Sequence, residues 1–318
     1  MGGPSIWMSR YEVRAARLVT VLFVLAAVSL PASAASASST RLPSWGLALD
    51  RKGSGAFIGA EKRVDGGLLA PGGRANSAPV WPKLVVAAMA YAAPRTEVPL
   101  EAPRSLPAHN PASLVANSAT VQSADQNYNV TLKDCSPPVA LNSSAMSPPS
   151  GPCSYQMALF GSFGGQAYER QETASAALAA EIATDLRPFS GCTRTSHVKL
   201  ADGIEATVSS WGPGMGETGP CKASWQAQGW TFVISGMTPH LWVGGLWTAT
   251  ADQIIAYVRG HALPARGEMD STNAGDGLIT SLTWDTGTDL YQTFTYHGAL
   301  PAVEMAASMA PYPGSTKG

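Results

Sequence analysis

From about residue 125 onward, short strand-like segments alternate with amphipathic helical segments, which restricts the chain to an α+β fold. Asp202-Gly203 and Gln228-Gly229 are turn dipeptides flanked by strand patterns, and each predicts a hairpin. A third predicted hairpin turns at residues 285–289, between two strands rich in aromatic residues. Residues 128–132 alternate apolar and polar side chains and predict a further strand. Such hairpins build a mostly antiparallel sheet.

Three helices are predicted between and after the hairpins. Residues 173–187 have the clearest helical pattern, with Leu178, Ile182 and Leu186 on one face. A second helix follows the hairpin at Gln228-Gly229, and a third covers residues 299–310. Hairpin, glycine and helix thus occur twice in the same order, which fits either a repeated hairpin-plus-helix unit or chance similarity. We expect a sheet with its helices packed on one face.

Residues 1–37 have the three parts of a secretory signal peptide. Three arginines precede an uncharged apolar run over residues 18–30, and small residues occupy the positions before Ser38. The run has about thirteen residues, fewer than the roughly 20 that a membrane-spanning helix needs. We expect the segment to be cleaved and the mature chain to be secreted or held in the cell envelope. An uncleaved N-terminal anchor is the alternative.

The composition divides the remainder of the chain into three parts. Residues 38–124 are rich in glycine and then in proline without a sustained helical or strand period, so they predict a low-complexity, disordered tail. Within them, the apolar run at residues 84–93 is the one candidate for a short helix that docks on the domain. The α+β domain is then expected over residues 125–310, and a flexible C-terminus over residues 311–318.

Four cysteines lie beyond residue 125, and an even number is typical of disulfides in an oxidising compartment. Three pairings are possible, and the sequence alone does not select one. We favour Cys135 with Cys153 and Cys192 with Cys221, because each pair encloses a short segment rich in Pro, Gly or Ser. Loops of this size stabilise a fold by roughly 3 kcal/mol each.

The charge composition argues against a nucleic-acid partner. The chain has 21 basic and 22 acidic side chains and a formal net charge of -1, so no excess of basic charge is available for a polyanion. The sequence has no Cys-x-x-Cys pair and no His-Glu-x-x-His motif, and its five histidines are far apart along the chain. We expect no metal and no other cofactor.

Residues 239–247 hold two tryptophans around a Gly-Gly pair and have no counterpart after the last hairpin. We predict an aromatic loop with His240, Trp242 and Trp247 as binding residues. Its indole rings are suited to stacking on sugar rings or to peripheral contact with a membrane surface. The alternative is that both rings fold back as a lid on the sheet, because exported domains bury most of their tryptophan.

Near the C-terminus, Trp284-Asp285-Thr286-Gly287 is followed by Leu290-Tyr291, Gly298 and residues 304–309. This arrangement resembles the C-terminal modules of unknown function in Gram-positive bacterial envelope lipoproteins and in exported portions of anti-sigma-factor-like proteins. Unlike those lipoproteins, the chain has no cysteine directly after its apolar N-terminal run. The resemblance implies a non-catalytic envelope module and transfers no catalytic residue.

Two functions follow from these observations. The first is a non-catalytic envelope or secreted module that binds an unidentified ligand, cell-envelope polymer or membrane surface through the aromatic loop. The alternative is a secreted hydrolase with a pair of carboxyl groups, although no Gly-x-Ser-x-Gly motif or other pattern identifies its catalytic residues. Two acids facing each other across a deep cleft favour the hydrolase, and a groove lined by the loop tryptophans favours binding.

Overall fold

The computed structural model describes residues 81–106, 116–146, 151–153, 159–187, 189–212, 220–236, 246–264, 266–273, 278–296 and 298–313. These residues contain four α-helices: α1 (Lys83–Ala92), α2 (Gln171–Asp185), α3 (Leu246–Gly260) and α4 (Ala299–Ala307). Their twelve strands are β1 (Glu101–Pro103), β2 (Ser118–Ala124), β3 (Asn127–Lys133), β4 (Leu159–Ala167), β5 (Cys192–Lys199), β6 (Glu205–Trp211), β7 (Pro220–Ala227), β8 (Trp230–Ser235), β9 (Gly267–Asn273), β10 (Leu278–Asp285), β11 (Asp289–Thr295) and β12 (Met309–Pro311).

Ten of these strands form one sheet in the order β2-β3-β4-β11-β10-β9-β8-β7-β6-β5. Neighbouring strands are antiparallel except β8 and β9, which run parallel and are connected through α3. The other two strands, β1 and β12, form a separate ribbon in which Glu101 lies opposite Pro311. The expected α+β fold with a mostly antiparallel sheet is therefore confirmed.

The three predicted hairpins are present as β5–β6, β7–β8 and β10–β11. Asp202 and Gly203 have φ values of 58° and 72°, and Gln228 and Gly229 have values of 51° and 80°. Two consecutive residues with positive φ produce a turn whose twist matches that of the flanking strands. Short-range turn chemistry thus accounts for these pairs of strands.

One face of the sheet carries the apolar core. Leu282, Met269 and Phe232 lie side by side across β10, β9 and β8, and all three are fully buried. Trp225 on β7 continues this row, with its ring stacked on Phe232 at a centroid distance of 5.3 Å. Helices α1, α3 and α4 contribute their buried side chains to the same core and cover this face.

Helix α2 lies on the opposite face, so the expectation of helices on one face holds for three of the four. Successive strand residues point to opposite faces, and Ser175 of α2 bonds Asp285 at 3.0 Å, next to the core residue Trp284. The prediction that Leu178, Ile182 and Leu186 form the buried face is wrong in part. Leu178 is buried, but Leu186 is 40 % exposed. The face that contacts the sheet instead consists of Ala174, Leu178 and the polar residue Glu181.

The predicted boundary at residue 125 is wrong, because the domain begins before it. Strand β2 pairs with β3 along its whole length, and α1 buries Val85, Ala88, Met89 and Ala92 in the main core. The tail prediction for residues 38–124 therefore fails over residues 81–106 and 116–124. Neither part has a sequence period of its own, and long-range packing orders both. Residues 38–80 and 107–115 lie outside the described residues.

The predicted C-terminal boundaries also change. The last helix ends at Ala307 instead of residue 310, and the chain continues as β12. The Tyr312 backbone N–H donates a hydrogen bond of 2.7 Å to the Leu100 carbonyl oxygen. The prediction of a flexible C-terminus is therefore wrong for residues 311–313, because the N-terminal segment of the domain holds these residues in place. Residues 314–318 lie outside the described residues.

The predicted disulfides are confirmed: Cys135 is bonded to Cys153 and Cys192 to Cys221, across sequence separations of 18 and 29 residues. Each disulfide is the centre of a small cluster apart from the main core. Two structural disulfides are compatible with an extracytoplasmic protein. Among the described helices, none is long and apolar enough to cross a membrane.

Candidate functional site

The structure places only one of the three predicted aromatic-loop residues. Trp247 lies in the first turn of α3 and is 5 % exposed, within the main core. The prediction that Trp247 is a surface binding residue is therefore wrong. The alternative, in which the tryptophan ring folds back onto the sheet, agrees better with the burial of Trp247. His240 and Trp242 lie outside the described residues, so their role as binding residues stays a prediction.

Replacing Trp247 by alanine is expected to destabilise the domain by roughly 3 kcal/mol, because the substitution leaves a large cavity in a packed core. Chemical denaturation of the wild type and of Trp247→Ala measures this difference. Leu246, its neighbour in the same turn, is 57 % exposed and provides the control: Leu246→Ala is expected to change the stability by less than about 0.5 kcal/mol. Equal effects of the two substitutions would contradict the core assignment.

A pocket of about 290 Å³ lies on the apolar side of the sheet, between residues of the β1–β12 ribbon and the end of β10. It is lined by Glu101, Ala262, Leu263, Pro264, Trp284, Thr286, Ala307 and Met309. Most of these are apolar, and the polar side chains among them are Glu101, Trp284 and Thr286. A small number of polar groups in an apolar lining is typical of ligand sites. We refer to it as the Glu101–Trp284 pocket.

Two tyrosines hold the segment that carries Glu101. The Tyr128 hydroxyl accepts a hydrogen bond of 2.9 Å from the Glu101 backbone N–H and donates one of 2.7 Å to the Glu101 carbonyl oxygen. The Tyr291 hydroxyl donates a hydrogen bond of 2.7 Å to the Pro99 carbonyl oxygen. A Cβ atom at Gly165 would lie within 3 Å of both tyrosine rings, so glycine is needed there for the rings to reach this segment. The position of the Glu101 backbone is therefore fixed by the sheet.

The opposite wall is fixed by tryptophans. The Trp284 ring packs between Trp230 and Tyr291, with centroid distances of 6.4 and 6.0 Å. The Trp230 indole N–H donates a hydrogen bond of 2.7 Å to the Pro264 carbonyl oxygen, which holds the loop at residues 262–264 against the pocket. The Trp284 indole N–H, by contrast, is buried, and its polar neighbour is the side-chain carboxyl group of Glu101. The pocket wall thus places a buried donor next to an acid.

The carboxyl group of Glu101 has an unusual environment. Burial raises its pKa to about 7, the nearby Trp284 indole N–H acts to lower the pKa, and the charge of Asp289 raises it. The indole N–H and the carboxyl group are therefore neighbours in the pocket wall. Burial also raises the pKa of Asp289. A carboxyl group that titrates near neutrality in a partly apolar pocket is a candidate for ligand recognition.

A second group of acids lies on the other side of the sheet, beneath α2. This carboxyl layer consists of Glu181 and Asp185 of α2 and Glu268 and Asp270 of β9. The Thr283 hydroxyl donates a hydrogen bond of 3.3 Å to Glu181, whose pKa is raised to about 7, chiefly by burial and then by Asp185. The layer joins the helix to the polar face of the sheet.

Glu268 is the most buried acid of the carboxyl layer. It is 2 % exposed, and neither of its carboxyl oxygens has a hydrogen-bond partner. Burial raises its pKa to about 9, and the charges of Asp185, Glu181 and Asp270 act in the same direction. The opposing charge is Lys222, which is also buried and donates hydrogen bonds to the backbone carbonyl oxygens of Asp185 and Arg187. Lys222 therefore satisfies carbonyl groups at the end of α2.

The two acidic regions differ in what they are able to do. Glu268 of the carboxyl layer is 2 % exposed, and the other three acids of the layer are half-buried between α2 and the sheet. No three His, Cys, Asp or Glu side chains in the described part of the chain are placed to hold a metal ion. The Glu101–Trp284 pocket combines free volume, an acid and a neighbouring indole N–H, and it is the better candidate for a functional site.

The sequence analysis did not predict Glu101 as a site residue, because Glu101 falls in the segment interpreted as a tail. A partial signal was present in Trp284 and Thr286, which belong to the motif that carries the envelope-module resemblance. Comparison with family models, curated proteins and solved structures finds no match for this chain.

Proposed function

We propose that this protein is a secreted or cell-envelope module without catalytic activity that binds a small ligand, or a small group on a cell-envelope polymer, in the Glu101–Trp284 pocket. Support for the location comes from the signal-peptide pattern of residues 1–37 and from the two disulfides. Support for binding comes from the pocket. The resemblance to bacterial envelope modules is consistent with both parts of the proposal.

The observation that carries the proposal is the pair formed by Trp284 and Glu101. The buried indole N–H of Trp284 lies beside the Glu101 carboxyl group and acts to lower its pKa. Both groups line the pocket, and no basic side chain is among the lining residues. The carboxyl group therefore keeps acceptor capacity for a bound ligand that supplies a donor.

The alternative is a secreted hydrolase that uses paired carboxyl groups. Such an enzyme needs two acids that reach the substrate from opposite sides. Glu268 of the carboxyl layer is 2 % exposed, and the lining of the Glu101–Trp284 pocket contains one acid. These features favour binding over hydrolysis.

Filling the pocket is expected to abolish binding. Ala307 lines the pocket at the end of α4, and Ala307→Phe would place a ring in the free volume. In a thermal-shift screen against a small-molecule library, compounds that raise the melting temperature of the wild type are expected to have no effect on this variant.

Ala183→Phe is the matched control, because Ala183 is exposed on α2, away from the pocket. It is expected to respond to ligands as the wild type does. Each variant is first compared with the wild type without ligand, to establish that it folds. Ligands that stabilise Ala307→Phe and the wild type equally would contradict a site in this pocket, and so would a library in which no compound stabilises the wild type.

A further inference from the structure

We propose that the Glu101–Trp284 pocket selects ligands that carry an organic ammonium group, with the Glu101 carboxylate as the counter-charge. This inference rests on the proposed function and adds the chemical class of the ligand. It is argued from the charges, the lining and the partners of the pocket residues.

The pocket has an acid and no basic side chain to pair with it. None of its eight lining residues is Lys, Arg or His. Two basic side chains of neighbouring segments are engaged elsewhere: the His261 ring stacks on Tyr257 at a centroid distance of 4.0 Å, and Arg266 bonds the Asp285 carboxylate. Among the described lining residues, none supplies a positive charge to Glu101, and a cationic ligand would do so.

The surroundings of Glu101 reinforce this requirement. Asp289 adds negative charge, and the side chains of Tyr128, Tyr291 and Trp284 are neutral at physiological pH. Removing a carboxylate from water without a counter-charge is unfavourable, and an ion pair with hydrogen bonds offsets that cost. The raised pKa of Glu101 is the expected sign of such an uncompensated acid. An anionic ligand would instead add repulsion.

The remaining lining fits the rest of such a ligand. Leu263, Pro264 and Met309 provide apolar surface for methylene or methyl groups attached to the nitrogen. A metal cation is a poorer fit, because hard cations take several oxygen ligands and no group of three acids or histidines in the described residues is arranged to supply them. An alkylammonium ion needs one carboxylate and an apolar wall.

The test compares three probes of similar size and different charge: n-butylammonium, 1-butanol and butyrate. Each is titrated into the isotopically labelled mature protein, and the cross-peaks of the Trp284 indole N–H and of the Thr286 and Met309 backbone amides are followed by NMR. At pH 8, n-butylammonium is expected to bind about tenfold more tightly than the other two. Its affinity is expected to fall about tenfold between pH 8 and pH 6, as Glu101 becomes protonated while the alkylammonium group stays charged.

Glu101→Gln removes the charge and keeps the size of the side chain, and its backbone retains the two hydrogen bonds to Tyr128. We expect this variant to lose at least about tenfold in affinity for n-butylammonium and to lose the pH dependence. Glu97→Gln is the matched control, because Glu97 is an exposed acid four residues away in the same segment. It is expected to bind as the wild type does.

The outcomes separate the two proposals. Equal affinity for n-butylammonium and 1-butanol, or unchanged binding by Glu101→Gln, would overturn ammonium selection and leave the pocket as a binding site. Failure of n-butylammonium to bind, with other compounds found by the pocket screen, would overturn ammonium selection alone. If no probe binds and the screen finds no ligand, the proposed function fails as well. A lysine-containing peptide and free n-butylammonium, titrated in parallel, distinguish a ligand group on a polymer from a free small molecule.

Discussion

A chain that begins at residue 107 instead of residue 81 is expected to lose its cooperative unfolding transition. Besides three buried alanines, the deletion removes four large apolar side chains that are at most 1 % exposed: Val85, Met89, Val98 and Leu100. Each fully buried side chain of this kind contributes about 1.5–3 kcal/mol. Together they amount to as much as the whole net stability of a typical domain, about 5–15 kcal/mol. Thermal unfolding followed by circular dichroism measures the effect.

A chain that begins at residue 81 is the control for this deletion. It keeps α1, the Glu101 segment and β1, and we expect its melting temperature to lie within a few degrees of that of the mature chain. If the chain from residue 107 unfolded at the same temperature as the control, the assignment of α1 and residues 98–102 to the core would be wrong.

Replacing Glu268 by glutamine is expected to remove the largest single part of the loss of stability that the wild type shows as the pH rises from 5 to 9. Glu101 and Glu181, whose pKa values are raised to about 7, contribute the remainder below that pH. The folded protein raises the pKa of Glu268 from 4.5 to about 9, chiefly by burial. Stabilisation linked to this group is therefore fully present below pH 4.5 and is lost as the pH rises toward 9, because the unfolded chain releases the proton first. The loss has an upper limit of about 1.4 kcal/mol per pH unit, or about 4 kcal/mol between pH 5 and pH 8.

Urea denaturation at several pH values between 5 and 9 tests this expectation. The free energy of unfolding of the wild type should fall over this range, and that of Glu268→Gln should fall less steeply and level off above about pH 7. Glu181→Gln should flatten the curve only up to about pH 7, where Glu181 titrates. Glu172→Gln, at an exposed position in the first turn of α2, serves as the neutral control. Parallel curves for the wild type and Glu268→Gln would contradict the burial of an ionisable group at this position.

The features that could be predicted from the sequence are those set by neighbouring residues. Asp202-Gly203 adopts positive φ for local steric reasons, so its hairpin is visible in the sequence. The pairing of Cys192 with Cys221 follows from a short, turn-rich interval. The antiparallel sheet follows from the number of such hairpins.

The features that could not be predicted depend on residues far apart in the sequence. Strand β1 has three residues and is ordered by β12 from the other end of the chain, so nothing near Glu101 marks it as a site residue. The apolar stripe predicted for α2 is wrong in part because Glu181 lies beneath the helix, where its carboxylate accepts a hydrogen bond from the Thr283 hydroxyl. A buried acid has no sequence pattern that separates it from an exposed one.

The β1–β12 ribbon makes the pocket a product of the complete chain. Glu101 comes from the N-terminal segment of the domain, Pro264 from the connection between α3 and β9, and Met309 from the last strand. Contacts between residues so distant in sequence form late, since the entropy of closing a long loop must be overcome first. During synthesis, the residues up to Pro264 are made before Met309, which completes the pocket lining. A partly made or truncated chain can therefore form hairpins but cannot form the pocket, so ligand binding would be limited to molecules that have been finished and folded.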